Sequence, residues 1–134
     1  MSKTYSVYAI ICKVNKKIYI GRTTNIKQRI NNHFDNLKGN NHKILDLQED
    51  FNKYGIDNFE VYLLEEDIDY TDRKKEYDYM REYNTFDKKY GYNQGDLKSS
   101  QKREIEIIKK KPINFYKSNS NKNSNSIKEE KEGK

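Results

Sequence analysis

Residues 5–22, YSVYAIICKVNKKIYIGR, decide the fold. Tyr5 to Val14 is an apolar run of strand length, and Lys17 to Arg22 is a second one. The polar pair Asn15-Lys16 lies between them, so the segment reads as a β-hairpin. A two-residue turn there sets Val14 opposite Lys17 and Cys12 opposite Tyr19. Strand side chains alternate, so Tyr8, Ile10 and Cys12 share one face with Tyr19, Gly21 and Thr23. Val7, Ala9, Ile11, Ile18 and Ile20 take the other face, which reads as a core face.

Downstream of the hairpin the apolar period changes. Thr24 or Asn25 can cap a helix in which Ile26, Ile30, Phe34 and Leu37 recur at helical spacing, with Gly39 ending it. A second helix is expected from about Asn41, with Ile44, Leu47, Phe51 and Tyr54 on one stripe and Gly55 beyond it. Phe59 to Leu64 carries apolar residues on both faces, the mark of a central strand. Thr71 can cap a third helix bearing Tyr77, Met80 and Tyr83. The order β-β-α-α-β-α predicts a small mixed α/β (α+β) domain, a three-stranded, mainly antiparallel sheet flanked by helices.

Composition limits how much chain that domain can use. The hydrophobic content is 33% with a mean hydropathy of −1.25, low for a folded chain of 134 residues. The 12 Tyr and 5 Phe compensate, since each buries a large area. After Gly95 the pattern fails: 101–111 could form a short helix around Ile105, Ile107 and Ile108, and Ser118 onward alternates Ser, Asn and Lys. The chain therefore divides into a domain at 1–96 and a basic low-complexity tail at 97–134, expected to be disordered. Net charge is +6, and its placement is uneven. Residues 1–43 carry +8, residues 44–96 carry −8, and the tail holds the excess. Basic clusters of this kind suit phosphate backbones or anionic surfaces. No apolar run reaches the ~18 residues that span a bilayer, and no signal-peptide pattern opens the chain. Cys12 is a lone cysteine in an apolar run, which excludes a disulfide framework or a multi-cysteine zinc site and marks it as a packing residue. A soluble, intracellular, non-membrane protein is expected. Lys outnumbers Arg 22 to 5, the residue usage of an AT-rich genome such as that of some viruses, phages or protists.

Three groups of residues stand out against this background. Glu76 shares a helical stripe with Met80 and Tyr83, and an inward carboxylate needs a cation, a metal or donors unless it escapes to solvent at the stripe's edge. Arg29 and His33 lie four apart beside the buried stripe of the first helix; Arg suits bidentate grip of phosphate, and His can donate to phosphate or shuttle protons. Read alone, the pair could equally be an ordinary exposed face. Tyr8 and Tyr19 put two phenols on one hairpin face, an arrangement that by itself signals packing.

Taken in order, these residues resemble the GIY-YIG nuclease family, in its mobile, phage-type branch. Ser6-Val7-Tyr8 and Tyr19-Ile20-Gly21, eleven residues after the first Tyr, are similar to the paired motif. Arg29 follows Gly21 by eight and His33 follows by four more; Glu76 opens a Glu-x-x-Tyr pattern, and Gly91-Tyr92-Asn93 closes the module. Ser6 stands where the family has its first Gly, and Val7 where it has Ile. The resemblance spans about residues 4–96 and implies a metal-dependent DNA endonuclease. By that resemblance Tyr8, Tyr19, Arg29, His33 and Glu76 are catalytic. Glu76 is the ligand of one Mg²⁺ (or Mn²⁺) with waters completing the shell, and Tyr8 or Tyr19 takes a proton from the attacking water. Nearby cations must then lower the phenol's pKa. Arg22, Lys27, Lys13 and Lys17 are implied DNA contacts, while Gly21 and Asn93 are structural, Asn93 fixing Glu76 or the end of the module. The competing readings are a nucleic-acid-binding module that does not cut and a structure-specific repair nuclease.

Overall fold

The computed structural model describes residues 3–94 and 111–114. Two strands, β1 (Thr4–Cys12) and β2 (Ile18–Thr23), form the expected hairpin. Its register pairs Ile11 with Ile18, Ile10 with Tyr19 and Tyr8 with Gly21. The turn is thus longer than two residues, and the Cys12–Tyr19 pairing expected from the sequence is displaced by two positions. The Asn15 side chain accepts from the Lys17 amide at 3.0 Å, and Lys16 adopts a left-handed φ of 66°. These local bonds open the loop at Lys13 and leave Val14 exposed. An even displacement preserves alternation, so the two faces carry the predicted residues.

Both faces are buried. On one, Val7, Ala9, Ile11, Ile18 and Ile20 pack with Met80 and Tyr83. On the other, Tyr8, Ile10 and Cys12 pack with Ile30, Phe34, Leu37, Leu47 and Phe51. Helix α1 (Ile26–Lys38) begins at Asn25, whose side chain accepts from the Gln28 amide, a cap worth about 1 kcal/mol. Helix α2 (Leu45–Tyr54) starts four residues later than expected, because residues 41–44 form a loop around His42. It ends at Gly55, whose φ of 84° favours glycine.

Strand β3 (Phe59–Asp69) is central as predicted, paired antiparallel to β1, but runs five residues further, through register shifts on either side of Val7. Helix α3 (Lys75–Glu82) is not capped by Thr71, whose amide and hydroxyl both bond the Asp69 carboxylate. Its inward stripe is Tyr79, Met80 and Tyr83, whereas Tyr77 faces solvent. The sheet has a fourth member, β4 (Lys111–Ile113), antiparallel to β3, giving the order β2-β1-β3-β4. These residues fall beyond Asp96, in the stretch read as tail. The helix considered for 101–111 and the low-complexity stretch from Ser118 lie outside the described residues, apart from Lys111, which is in β4. Among the described residues no helix is long and apolar enough to cross a membrane.

Strand β2 is the edge that matters for the site. Gly91 bridges to Ile18, with Tyr90 accepting from the Ile18 amide and Tyr92 donating to its carbonyl. One step on, the Asn93 amide grips both backbone groups of Ile20, at 2.8 and 2.9 Å. Asn93 therefore holds the edge of β2 and not Glu76. Among the described residues this cover stops at Ile20, short of Gly21, Arg22 and Thr23.

Candidate active site

The hairpin register places Tyr8 opposite Gly21 on one face and Val7 opposite Arg22 on the other. The Tyr8 ring lies over Gly21 so closely that a Cβ there would stand 2.3 Å from the phenolic oxygen. From α1, one helical turn brings two groups to that oxygen: Arg29 Nε donates at 3.3 Å, and His33 Nε2 lies at 2.7 Å. Tyr19 closes the group, its ring 6.3 Å from Tyr8 and 5.5 Å from His33. The structure thus brings Tyr8, Tyr19, Arg29 and His33 together on one face of the hairpin.

Glu76 approaches from the opposite face. Its carboxylate is 3.7 Å from Arg22 Nε, with the Glu76 side chain 20% exposed. Arg22 also lies over the Tyr5 ring, with 5.6 Å to the centroid. The candidate site therefore straddles the edge strand, with phenols, imidazole and Arg29 on one side and Glu76 and Arg22 on the other. Two cavities meet at Arg29. One of about 620 Å³ runs past Tyr19, His33, Asn36 and His42, and one of about 260 Å³ lies beside Tyr5, Arg22, Thr24 and Tyr70.

Burial dominates the electrostatics. It pushes the Tyr8 phenol well above its ordinary value of 10.0, with Tyr19 adding to the rise and Arg29 opposing it. This reverses the expectation that neighbouring cations lower that phenol; Tyr8 has no exposed surface, and one guanidinium at 3.3 Å does not offset the desolvation. Burial likewise raises Tyr19 and Glu76, with Arg29 opposing the first and Arg22, then Arg29, the second. His33 is pushed down to about 3, first by burial and then by His42, Arg29 and Lys43.

That depression ties His33 to acid stability. The unfolded chain binds a proton on His33 below about 6.5, and the folded chain does so only near 3. Stability is therefore full above 6.5 and falls as the pH drops toward 3, by up to about 1.4 kcal/mol per pH unit from this group. Urea midpoints of wild type and His33→Gln should diverge in slope across that window. Parallel curves would show that His33 titrates normally.

The four implied DNA contacts scatter. Arg22 belongs to the site, and exposed Lys27 lies one residue into α1. Lys13 and Lys17 flank the hairpin turn, Lys13 paired with Glu60 at 3.8 Å and Lys17 over the Tyr92 ring. At about 3.3 Å per residue the turn is some 16 Å along β1 from Tyr8. Sequence reasoning overlooked His42, which bonds to His33 at 2.8 Å. It sits in a loop with no periodicity to mark it; the one available signal was that the chain has 2 His, nine residues apart.

A divalent cation can be tested against these donors. Glu76 supplies a hard oxygen whose charge is penalised by burial, and a cation would relieve that penalty. Among the described residues no cluster of three or more His, Cys, Asp or Glu could form a protein cage. The donor set fits a hard divalent cation of the kind that keeps waters and takes one or two carboxylates plus phosphate oxygens.

Comparison with known proteins places the domain that carries this site in one family. Residues 4–93 match the GIY-YIG catalytic domain. The chain is 28% identical over 123 residues to the probable intron-encoded endonuclease 1 of Neurospora crassa, covering 86% of this chain and 38% of that protein. It is 34% identical over 113 residues to the intron-associated endonuclease 1 of Enterobacteria phage T4, covering 78% of this chain and 44% of that protein. The chain thus spans less than half the length of these curated relatives. The solved catalytic domain of the homing endonuclease I-TevI is similar at a TM-score of 0.61 and 32% identity, over 69% of this chain and 99% of that one. A mutant of that domain gives the same TM-score at 29% identity, over 72% and 99%.

Proposed function

The chain belongs to the GIY-YIG nuclease family, and from that premise we propose that it is a Mg²⁺-dependent DNA endonuclease acting through Tyr8, Arg29, His33 and Glu76. The observation that carries the reading is a buried phenolic oxygen that faces two nitrogen groups, Arg29 Nε and His33 Nε2, beside the open edge of β2, with Glu76 across it. A binding module has no use for a partly buried carboxylate opposed to a buried phenol. The named relatives are intron-encoded or intron-associated endonucleases, which favours a mobile-element role over structure-specific repair.

In this reading the scissile phosphate lies at the half-buried end of β2, Arg22–Thr23, next to Gly21, whose missing side chain makes room for the Tyr8 ring. Arg29 and Arg22 grip its oxygens. Tyr8, as the phenolate left when its own proton passes to solvent, takes a proton from the water that attacks phosphorus; the P–O3′ bond breaks, and the 3′ oxygen leaves and is protonated from solvent. Glu76 would hold the divalent cation, which when bound stabilises charge on the phosphate and on the leaving oxygen. Tyr19 packs beside Tyr8 and narrows the space open to water. Cleavage of plasmid and of branched DNA, with and without Mg²⁺, tests the proposal; binding without cutting in every condition would overturn it.

The raised phenol makes a further demand. A base that must be deprotonated, and whose pKa lies above 10, is populated in its active form more as pH rises. Single-turnover rates should therefore climb by up to about tenfold per pH unit between about 7 and 9. Tyr8→Phe should be slow and should lose that slope while binding DNA as before. A Tyr8→Phe profile parallel to wild type would remove Tyr8 from the proton-transfer step.

A further inference from the structure

We infer that His42 is a positioning residue that fixes the His33 proton on Nε2, making His33 a hydrogen-bond donor to the Tyr8 oxygen. The inference rests on the reading of Tyr8 as the group that takes the water's proton.

The argument begins at a backbone amide, which can only donate. The Ile44 N–H meets His42 Nδ1 at 3.0 Å, so that nitrogen carries no proton. Neutral His42 then carries its proton on Nε2, which lies 2.8 Å from His33 Nδ1. His33 Nδ1 must accept, and the His33 proton is left on Nε2, 2.7 Å from the Tyr8 oxygen. The imidazole centroids are 5.1 Å apart, the separation that an edge-to-edge bond of this length gives, and the rings lie 16° from parallel. Both imidazoles are almost fully buried, and burial holds both toward the neutral form the argument needs.

The consequence is directional. With Arg29 Nε and His33 Nε2 both donating, the Tyr8 oxygen receives two N–H bonds and directs its own proton away from the helix. A phenolate formed there keeps both donors. The reverse transfer, from Tyr8 to His33, would create an imidazolium whose Nδ1–H confronts the Nε2–H of His42. His33 therefore supports the charge on Tyr8 and does not relay its proton. The scaffold for this is separate from the His42 ring: the His42 amide donates to Gln48 Oε1 at 2.9 Å, and Gln48 Nε2 donates to the Leu37 carbonyl at 3.0 Å.

Two variants of the full chain and one spectrum test the assignment. The chain has 2 His, so ¹⁵N-labelled imidazole spectra contain two rings. In wild type near pH 7.5, His33 should show a protonated Nε2 and a bare Nδ1. His42→Phe should lose this single tautomer and cleave roughly ten- to a hundredfold more slowly at unchanged DNA affinity, since a mis-set tautomer can cost up to about 10⁴. His42→Gln can both donate to His33 Nδ1 and accept from Ile44, and should recover most of the rate. A wild-type His33 protonated on Nδ1, or a His42→Phe protein that keeps the wild-type tautomer and rate, would overturn the inference. The spectrum needs no substrate, so it judges His42 even if Tyr8→Phe were to cleave normally, a result that would reject the role of Tyr8 alone.

Discussion

Glu76→Gln is expected to lose about a hundredfold or more in cleavage rate while keeping its fold, the loss typical of removing one preorganised electrostatic contribution. The substitution keeps the side chain's shape and removes only the charge. That charge is held at a cost: burial disfavours it, and Arg22 and Arg29 work to retain it. In the folded protein its ion pair is a single 3.7 Å approach to Arg22, about a third exposed, and pairs of that kind are worth roughly 0–1 kcal/mol. The melting temperature should therefore barely move. Glu65→Gln is the matched control, because Glu65 is bonded to Tyr79 at 2.8 Å and to Lys75 at 3.6 Å on the same side of the sheet. If cleavage depends on negative charge in general, both variants slow; if Glu76 holds the cation, only Glu76→Gln does, and raising Mg²⁺ does not restore it. A fully active Glu76→Gln protein would end the assignment.

Legibility in the sequence followed the range of the interactions. The two hairpin faces could be read despite a wrong turn, because strand alternation survives an even register error. The turn itself depended on the Asn15 side chain bonding the Lys17 amide, a local competitor that apolar patterning does not reveal. Thr71 misled for a related reason: its hydroxyl was already committed to Asp69, and α3 starts at Lys75 with no side-chain cap. Strand β4 was hidden because its three residues pair with Val61, Tyr62 and Leu63, some fifty positions away, and carry little alternation of their own. In the candidate site, Arg29 and His33 could be related by helical spacing, and the family resemblance joined them to Tyr8. No helical or strand spacing related Glu76 to Arg22 or His42 to His33; those contacts exist only once α3 and the 41–44 loop are docked.

Gly21→Ala tests the site from the side of packing, and its effect should be comparably large. The glycine is not required for backbone conformation, since its φ lies outside the left-handed region; the requirement is space. An alanine Cβ would stand 2.3 Å from the Tyr8 oxygen and 2.5 Å from Cζ, inside any real contact distance. Either β2 or the Tyr8 ring must move. Strand β2 is tied to β1 along its length, to Asn93 at Ile20 and to Gly91 at Ile18, so the ring is the part that yields. The ring is fully buried and bonded to His33, so moving it breaks the 2.7 Å contact and overpacks the face it shares with Ile30 and Phe34. Overpacking of this kind costs about 1–3 kcal/mol. The rate should fall about a hundredfold or more, because the phenol leaves both its donors. Double-mutant analysis separates this from a general defect. Added to Tyr8→Ala, which empties the space, Gly21→Ala should cost far less stability than it does in wild type. Strictly additive costs, or a Gly21→Ala protein that cleaves at the wild-type rate, would mean that the close approach of Tyr8 to β2 does not set the site's geometry.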